Sequence, residues 1–383
     1  MTIERGDAVA LLRELVRIDS RNPSLASDAP GERRIAEFLA GVLREWGIDA
    51  HLADAGGGRP NVVARIRGHR SGTPSLMFNG HLDVVGVEGM RHAPFDAIER
   101  DGRIFGRGAS DMKGGVAAMC AAASRLTGEL AGDLVIAAVV DEEWKSSGTA
   151  ALIASGVRAD AAIVTEPTGL AIMPAHRGFA WIEVTVKGRA AHGSRWDLGV
   201  DAIRHAGLLL SELDMLDMER LPLRQHALLG RPSLHASTID GGLGLSTYPD
   251  RCVMRLERRT IPGESAADAL REVHDACRAV ADRAPQFDAE VALLFAQPPS
   301  DVDRAAPVVQ TLARALSQRG LSTDALGMSA WTDAALLNEA GVPAVCFGPG
   351  DMGLAHAAEE YIPVDEVRRA ADILEDVARS WCT

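Results

Sequence analysis

The chain has little positive charge and no long apolar run. Its 383 residues contain 40 Lys and Arg against 53 Asp and Glu, which gives a formal net charge of -13. Nucleic acids and anionic membrane surfaces are bound through a contiguous excess of basic residues, so we expect neither as a partner. No apolar run is long enough to span a bilayer, and residues 1–7 are charged rather than an apolar signal core. We therefore expect a cytoplasmic protein.

Cysteine is also scarce, and low-complexity tracts are absent. An odd number of cysteines with no paired spacing fits reduced thiols better than a disulfide framework or a thiolate zinc site. We expect these side chains to be small buried apolar groups. They are Cys120, Cys252, Cys277, Cys346 and Cys382.

The order of predicted helices and strands indicates two domains, since 383 residues exceed the usual size of a single core. Up to residue 177, helical periodicity alternates with short apolar runs, which is typical of α/β layers. Residues 180–188 instead alternate apolar and polar side chains, as in a strand with one solvated face. Strands of the buried type return at 344–347. We predict an α/β domain of residues 1–177 and 297–383, with a mixed sheet and helices on both faces, interrupted by a smaller α+β domain of residues 178–296.

Histidine and acidic side chains follow the apolar strands where each one ends. The run 75–80 leads into His81 and Asp83, which face the same side if the chain is extended. Asp83 is therefore placed to hold the second ring nitrogen of a metal-bound His81. A polar surface loop is the alternative interpretation.

A glycine-rich loop, Gly-Arg-Gly-Ala-Ser-Asp-Met-Lys-Gly-Gly at 106–115, precedes an alanine-rich helical stretch. The loop brings Asp111 near a helix N-terminus. Its glycine order fits neither the nucleotide phosphate loop nor the dinucleotide fingerprint. Helix capping by Asp111 is the alternative to a functional role.

Three carboxylates, Asp141, Glu142 and Glu143, follow the apolar strand 134–140. Packed acids raise each other's pKa unless a cation lies between them, so a metal with a general base explains them, and a solvated acidic turn is the alternative. The strand 161–165 likewise ends in Glu166, and His356 follows a glycine-rich turn. Because ligands of open α/β sheets bind beyond the carboxyl ends of the strands, these groups predict one site.

Taken together in this order, the segments resemble the family of zinc-dependent amidohydrolases and exopeptidases that includes acetylornithine deacetylase, succinyl-diaminopimelate desuccinylase, aminoacylase and carboxypeptidase G. The resemblance covers nearly the whole chain. Its specific parts are Gly-His-Leu-Asp-Val-Val at 80–85, the loop 106–115, Asp-Glu-Glu at 141–143, Glu166 before Pro167, and Gly-Pro-Gly at 348–350 with His356.

The resemblance implies two zinc ions in each subunit, with cobalt or manganese able to substitute. Asp111 would bridge the two ions. His81 and Glu166 would complete the site of one ion, and Glu143 and His356 the site of the other.

The same resemblance assigns roles around the metals. Asp83 would support His81, and Glu142 would be the general base that takes a proton from a water held by the ions and passes it to the leaving amine. The inserted domain would be a lid that also forms a homodimer. His192 would reach the neighbouring subunit's site and stabilise the oxyanion.

Three residues are expected to contact the substrate. Arg259 aligns with the family arginine that grips the substrate carboxylate, with its neighbour Arg258 as the alternative. Gly350, in the glycine-rich turn, is the second. Ser246 is the third, and it stands where many relatives have an asparagine.

The expected activity is hydrolysis of the amide bond of N-acyl-L-amino acids, because Glu rather than Asp at position 166 resembles the deacylase and carboxypeptidase branch. A dipeptidase or carboxypeptidase acting on a short peptide with the same metal centre is one alternative. A non-catalytic metal-binding homologue is another. A nucleotide-binding enzyme is disfavoured, since no ribose-binding acid or phosphate-loop hydroxyl follows the glycine loop.

Overall fold

The computed structural model describes residues 3–383 as two compact units. The larger unit comprises the chain up to Pro174, Val302–Leu326 and Thr332–Thr383, and the smaller unit comprises Ala175–Asp301 and Gly327–Trp331. The breaks at 174 and 302 lie a few residues from the predicted domain limits, and the roles of the domains stay a prediction. Residues 1–2, part of the stretch for which we expect no signal core, lie outside the described residues.

Helices and strands alternate along most of residues 3–383, in both units. The helices are α1 (Ala8–Val16), α2 (Arg33–Glu45), α3 (Gly114–Arg125), α4 (Ser147–Ala154), α5 (Ala202–Met215), α6 (Ala266–Ala281), α7 (Pro307–Gln318), α8 (Ala334–Glu339) and α9 (Val364–Trp381). The strands are β1 (Asp49–Asp54), β2 (Pro60–Ile66), β3 (Leu76–His81), β4 (Ile98–Arg100), β5 (Arg103–Phe105), β6 (Leu134–Val139), β7 (Ala161–Val164), β8 (Ile172–His176), β9 (Gly178–Lys187), β10 (Ser233–Gly241), β11 (Arg251–Thr260), β12 (Asp288–Gln297), β13 (Ser300–Asp301), β14 (Ala325–Met328), β15 (Ala344–Cys346) and β16 (Tyr361–Pro363).

The larger unit is built on a mixed sheet in the order β1-β2-β6-β3-β7-β15-β8. The four strands β6, β3, β7 and β15 are parallel, whereas β1 and β2 are antiparallel. Every residue of β3 and β6 is buried, so both faces of the sheet are covered. Helices α1, α3, α7 and α9 contact one another as one group, and α4 contacts α8. The predicted α/β class with a mixed sheet is confirmed.

Helix α3 lies very close to the sheet because small residues dominate it. All of its residues except Arg125 are buried, and most are alanine or glycine. A Cβ atom added at Gly115 would lie 1.9 Å from the carbonyl oxygen of Thr165, which follows β7. Glycine therefore permits the start of α3 to contact the end of β7. This contact brings the loop before α3 next to Glu166.

The smaller unit contains an antiparallel sheet in the order β10-β11-β9-β12, packed against α5 and α6. Strand β9 alternates buried and half-buried residues, as the sequence pattern predicts. On β11 the buried face includes Met254, Leu256 and Arg258. The separate α+β unit agrees with the predicted fold class.

All five cysteines are buried and free, as expected for reduced thiols. Within residues 3–383, no helix combines the length and the apolar character needed to cross a bilayer.

One buried histidine of the smaller unit makes stability depend on pH. His176 is 2% exposed, and its ring packs edge-on against Trp331 with centroids 6.2 Å apart. Nδ1 lies 3.0 Å from the carbonyl oxygen of Arg177, while Nε2 is buried without a hydrogen-bond partner among the described residues. Burial lowers the pKa of His176 from 6.5 to about 4.

We predict that His176 destabilises the fold on acidification. Because its pKa is lower in the folded than in the unfolded state, its contribution is complete above pH 6.5 and is lost as the pH falls toward 4. Wild type should lose about 2 kcal/mol relative to His176→Phe between pH 7.5 and pH 5. Urea unfolding followed by tryptophan fluorescence measures this difference, with exposed His69→Gln as control. An equal pH dependence of wild type and His176→Phe would contradict the prediction.

Candidate metal centre

The candidate site lies at the carboxyl ends of the four parallel strands of the larger unit. Strand β3 ends at His81, β6 is followed by residues 141–143, and β7 is followed by Glu166. Strand β15 is followed by the loop that carries His356. Because these strands are parallel neighbours, their ends meet at one edge of the sheet.

Two groups of side chains are close enough to hold one metal ion each, and they share Asp111. The ligand atoms of His81, Asp111 and Glu166 lie within 4.8 Å of one another, and so do those of Asp111, Glu143 and His356. Oδ1 of Asp111 is 3.0 Å from Nε2 of His81, whereas Oδ2 is 3.5 Å from Nε2 of His356. Each carboxylate oxygen of Asp111 thus faces a different imidazole.

His81 has one ring nitrogen fixed by the main chain. Its Nδ1 is 2.9 Å from the carbonyl oxygen of Asp83 and 3.7 Å from the carboxylate of the same residue. Of the two groups of Asp83 that could support His81, the carbonyl group is therefore the nearer one. Nδ1–H donates to that carbonyl, which leaves Nε2 available as a ligand atom.

The Asp83 carboxylate instead holds the acidic turn. It accepts hydrogen bonds from the main-chain N–H groups of Glu142 and Glu143, both at 3.1 Å, and from the amide of Asn22 at 2.8 Å. Asn22 also donates to Asp141 at 3.1 Å. The turn that presents Glu142 and Glu143 is therefore fixed through its backbone.

Burial and mutual repulsion raise the pKa of the acids at this edge. Burial, with repulsion from neighbouring carboxylates, raises the pKa of Glu142 and Glu166 well above the ordinary range, and raises that of Glu143 as well. Asp111 differs, since hydrogen bonds from His356 and His81 outweigh burial and lower its pKa. The site therefore favours added positive charge.

The neighbouring carboxylates raise the pKa of the two histidines, His81 and His356, and so favour their protonated forms. Burial alone would lower the pKa of His81, but Asp111, Glu142 and Glu166 raise it well above its ordinary value. Burial likewise opposes protonation of His356, but Asp111 and Glu143 raise its pKa to about 10. Both imidazoles lie in a strongly negative field.

The donor set fits zinc, which takes imidazole nitrogen and carboxylate oxygen. In addition, Oε1 of Glu143 is buried without a hydrogen-bond partner among the described residues. A buried carboxylate oxygen in that state needs a cation or a proton. The five predicted ligands are therefore close together, and their chemistry suits two ions that share Asp111.

Three other predicted site residues belong to the smaller unit. His192 is exposed, and its Nδ1 is 2.8 Å from Oγ of Ser194 and accepts the N–H of Ser194 at 3.3 Å. Ser246 is exposed, and its carbonyl accepts the N–H of Gly193. Arg259 pairs with Glu257 at 2.9 Å.

The two candidate arginines, Arg258 and Arg259, differ in the exposure of their side chains. The Arg258 side chain is buried and pairs with Glu264 at 2.9 Å and with Glu272 at 3.0 Å. Arg259 keeps 31% of its side chain exposed and lies over the ring of Phe179. Only Arg259 is accessible to an anionic group.

Gly350 lies in the larger unit and has a backbone role. Its φ of 94° suits glycine, and a Cβ atom would lie 2.5 Å from Oγ of Ser110. Its N–H donates to Glu366 and its carbonyl accepts from Gly169. The expected contact of Gly350 with substrate stays a prediction.

Sequence reasoning missed three buried polar residues around the centre. Asn22 joins Asp83 to Asp141, and Asp333 accepts a 2.6 Å hydrogen bond from Thr149 beside the same turn. Burial raises the pKa of Asp333 to about 6. The third is Glu360, which lies under the loop that carries Asp111. None of them follows an apolar strand of the parallel sheet, so the signal that identified the other acids was missing.

Comparison with known proteins gives consistent matches. Residues 77–380 match peptidase family M20/M25/M40. The chain is 31% identical to acetylornithine deacetylase of Myxococcus xanthus, covering 97% of both chains, and 27% identical to a probable succinyl-diaminopimelate desuccinylase of Staphylococcus epidermidis, covering 99% and 98%. A solved M20 family metallo-carboxypeptidase of Sulfolobus solfataricus has a TM-score of 0.82 at 20% identity, covering 98% and 99%. The resemblance inferred from the motifs is confirmed.

We predict that zinc stabilises the protein by relieving carboxylate repulsion. Adding zinc at 100 times its Kd to chelator-treated protein should raise the free energy of unfolding by about 2.7 kcal/mol per site. Thermal unfolding measures the gain, and mass spectrometry of bound metal gives the stoichiometry. Asp111→Asn should lose most of the gain, while His69→Gln should keep it. An equal zinc effect on wild type and Asp111→Asn would refute the assignment.

Proposed function

The chain belongs to peptidase family M20/M25/M40, and we propose that, within this family of amide-bond hydrolases, it removes the acyl group from N-acyl-L-amino acids at a two-metal centre. One observation carries the proposal. Asp111 directs one oxygen to His81 and the other to His356, between Glu166 and Glu143. That arrangement suits a carboxylate that bridges two cations.

The proposed ligands are His81 and Glu166 for one ion, Glu143 and His356 for the other, and Asp111 for both. Zinc is the proposed metal, with cobalt or manganese as substitutes, because the ligands offer imidazole and carboxylate atoms and no thiolate. When bound, two such ions lower the pKa of a water molecule and polarise the scissile carbonyl.

Glu142 is the proposed general base. Its carboxylate lies 3.9 Å from Nε2 of His81, and its main-chain N–H is held by Asp83. The adjacent Glu143 turns to the other cluster, so the two neighbouring glutamates divide the roles of base and ligand. Glu142 would accept the proton of the attacking water and deliver it to the leaving amine.

His192 is the proposed oxyanion donor. Because Nδ1 accepts the N–H of Ser194, the proton of the neutral ring lies on Nε2. Nε2–H can then donate to the negative oxygen that develops in the transition state. The exposure of His192 leaves this nitrogen accessible.

Arg259 is the proposed partner of the substrate carboxylate, with Ser246 as a further polar contact. Arg259 is proposed rather than Arg258 because Glu264 and Glu272 pair with the buried guanidinium of Arg258. An exposed guanidinium supported by Phe179 can still form a bidentate pair with a carboxylate.

Deacylation is favoured over peptide cleavage by the full-length similarity to an acetylornithine deacetylase at 31% identity. Glu166 is also the residue type expected for the deacylase and carboxypeptidase branch. The alternative is a dipeptidase or carboxypeptidase acting on a short peptide at the same centre. A cytoplasmic location stays a prediction.

We expect the zinc-loaded protein to release amino acids from N-acetyl, N-succinyl or N-aroyl amino acids, and a chelator to abolish this. Glu142→Gln should reduce kcat at least about 100-fold without changing the metal content, because general-base catalysis contributes about that much. Amine release and bound metal are measured on the same samples. Cleavage of free-amino dipeptides alone would establish the peptidase alternative, whereas metal binding without any turnover would indicate a binding protein.

We also propose a homodimer formed through the smaller unit, in which His192 serves the partner's site. The smaller unit exposes large apolar side chains, including Trp196 at 81% and Leu243 at 94%, as an interface requires. Strand β10 is moreover an edge of its sheet.

Mixing two inactive variants tests the donation of His192 between subunits. Co-refolded Glu142→Gln and His192→Ala should regain about a quarter of wild-type activity, because about half of randomly formed dimers are mixed and each has one complete site. Light scattering gives the oligomeric state, and each variant alone is the control. If His192 acted within its own subunit, the mixture would stay inactive.

A further inference from the structure

A buried ion pair lies beneath the loop that carries Asp111. Arg107 is 3% exposed and Glu360 is fully buried. Nη1 of Arg107 is 2.7 Å from Oε2 of Glu360. Neither residue is one of the proposed metal ligands or acid–base groups, so the pair has no direct part in the proposed reaction.

The second oxygen of Glu360 holds the backbone at Asp111. Oε1 accepts the main-chain N–H of Ser110 at 3.0 Å and that of Asp111 itself at 3.1 Å. Two N–H groups converging on one carboxylate oxygen fix the direction of the chain at this point. The Asp111 side chain leaves the backbone from a position that Glu360 determines.

Glu360 is itself fixed by strand pairing. Strands β5 and β16 are antiparallel, with Phe105 opposite Tyr361, and the N–H of Gly106 donates to the carbonyl of Glu360 at 3.2 Å. The loop 106–111 follows β5, and the loop that carries His356 ends at β16. Because these two strands are paired, the two loops lie next to each other at this point.

Arg107 extends the connection to the His356 loop. Its Nη1 also lies 3.4 Å from the carbonyl oxygen of Ala357. Its Nε donates a hydrogen bond to the carbonyl oxygen of Gly86 at 2.8 Å. In addition, Oγ of Ser110 donates to the carbonyl of Asp351 and accepts its N–H. One buried pair thus joins the segments that carry Asp111 and His356.

We propose that Glu360, through Arg107, is a positioning residue that sets the geometry of Asp111 and His356 for metal binding. The inference rests on the proposed two-metal function. Groups that orient metal ligands typically change metal affinity by about 10- to 100-fold when they are replaced. Because Asp111 belongs to both clusters, both ions should be affected.

The smaller unit provides a matched control for a purely structural role. Glu264 also pairs with a buried arginine, Arg258 at 2.9 Å, and accepts a main-chain N–H, that of Ile261 at 3.1 Å. Its side chain is 6% exposed. Glu264→Gln therefore removes a similar buried charge without contacting the candidate metal ligands.

The experiment compares zinc affinity and thermal stability of wild type, Glu360→Gln and Glu264→Gln. Zinc dissociation constants are obtained by competition with a chromogenic chelator, and unfolding temperatures are measured without metal. Both variants should unfold at a lower temperature than wild type. Only Glu360→Gln should bind zinc more weakly, by about 10- to 100-fold, and excess zinc should restore its full stoichiometry.

Unchanged zinc affinity in folded Glu360→Gln would overturn the inference, and so would equal weakening in Glu264→Gln. If Glu360→Gln does not fold, Arg107→Lys serves instead, because lysine keeps the positive charge beside Glu360 but its single ammonium group cannot also make the guanidinium contacts with the carbonyl groups of Gly86 and Ala357. It should weaken zinc binding measurably, and wild-type affinity would overturn the inference. Wild-type protein that binds no zinc would refute the two-metal function itself.

Discussion

Repulsion among carboxylates buried at one edge of the parallel sheet is the constraint that the surrounding structure has to meet. Asp83 is satisfied by two main-chain N–H groups and Asn22, Asp141 by Arg59 and Asn22, and Glu360 by Arg107 and two further N–H groups. Four further acids at this edge have only imidazoles as their cationic neighbours among the described residues. They are Asp111, Glu142, Glu143 and Glu166.

The first three are shaping acids, because their hydrogen bonds fix the structure around the site. The other four are receiving acids, because each would take up a metal ion or, at Glu142, a proton under the proposed function. Asp83 and Glu360 accept main-chain N–H groups from the loops that carry the other acids, so their negative charge is used to fix backbone positions. The receiving acids are held close together although they repel, which is stable only with protons or metal ions present. Burial of such a group of acids is therefore what a site for metal ions would require.

The sequence was sufficient for the parts of the molecule in which local pattern determines structure. Apolar runs that end in Glu166, or in Asp141 to Glu143, predict buried strands with functional ends, because parallel strands share one functional edge. Other features depend on contacts that are distant along the chain. Glu360 meets Ser110 across 250 residues, and Asn22 meets Asp141 across 119. The sequence also does not show which atom of a residue makes a contact. At Asp83 it is the carbonyl oxygen, not the carboxylate, that accepts the hydrogen bond from Nδ1 of His81.

Strand parity alone indicates which of Arg258 and Arg259 is the more exposed. On β11, Cys252, Met254 and Leu256 form the buried apolar set, so position 258 continues the inward face and 259 points outward. A buried arginine requires carboxylate partners. For Arg258 these are Glu264 and Glu272, which follow it in the sequence.

Burial of Arg258 also fixes the backbone at Arg259, because its guanidinium donates to the carbonyl of Arg259. The same arrangement occurs in the larger unit, where the Arg107–Glu360 pair binds the main chain of Asp111. In each unit a buried arginine–glutamate pair forms a hydrogen bond with the main chain of a proposed functional residue. These residues are Arg259 in the smaller unit and Asp111 in the larger unit. A charged pair suits this task better than apolar packing, because it forms directed hydrogen bonds to main-chain groups and so orients as well as supports the neighbouring side chain.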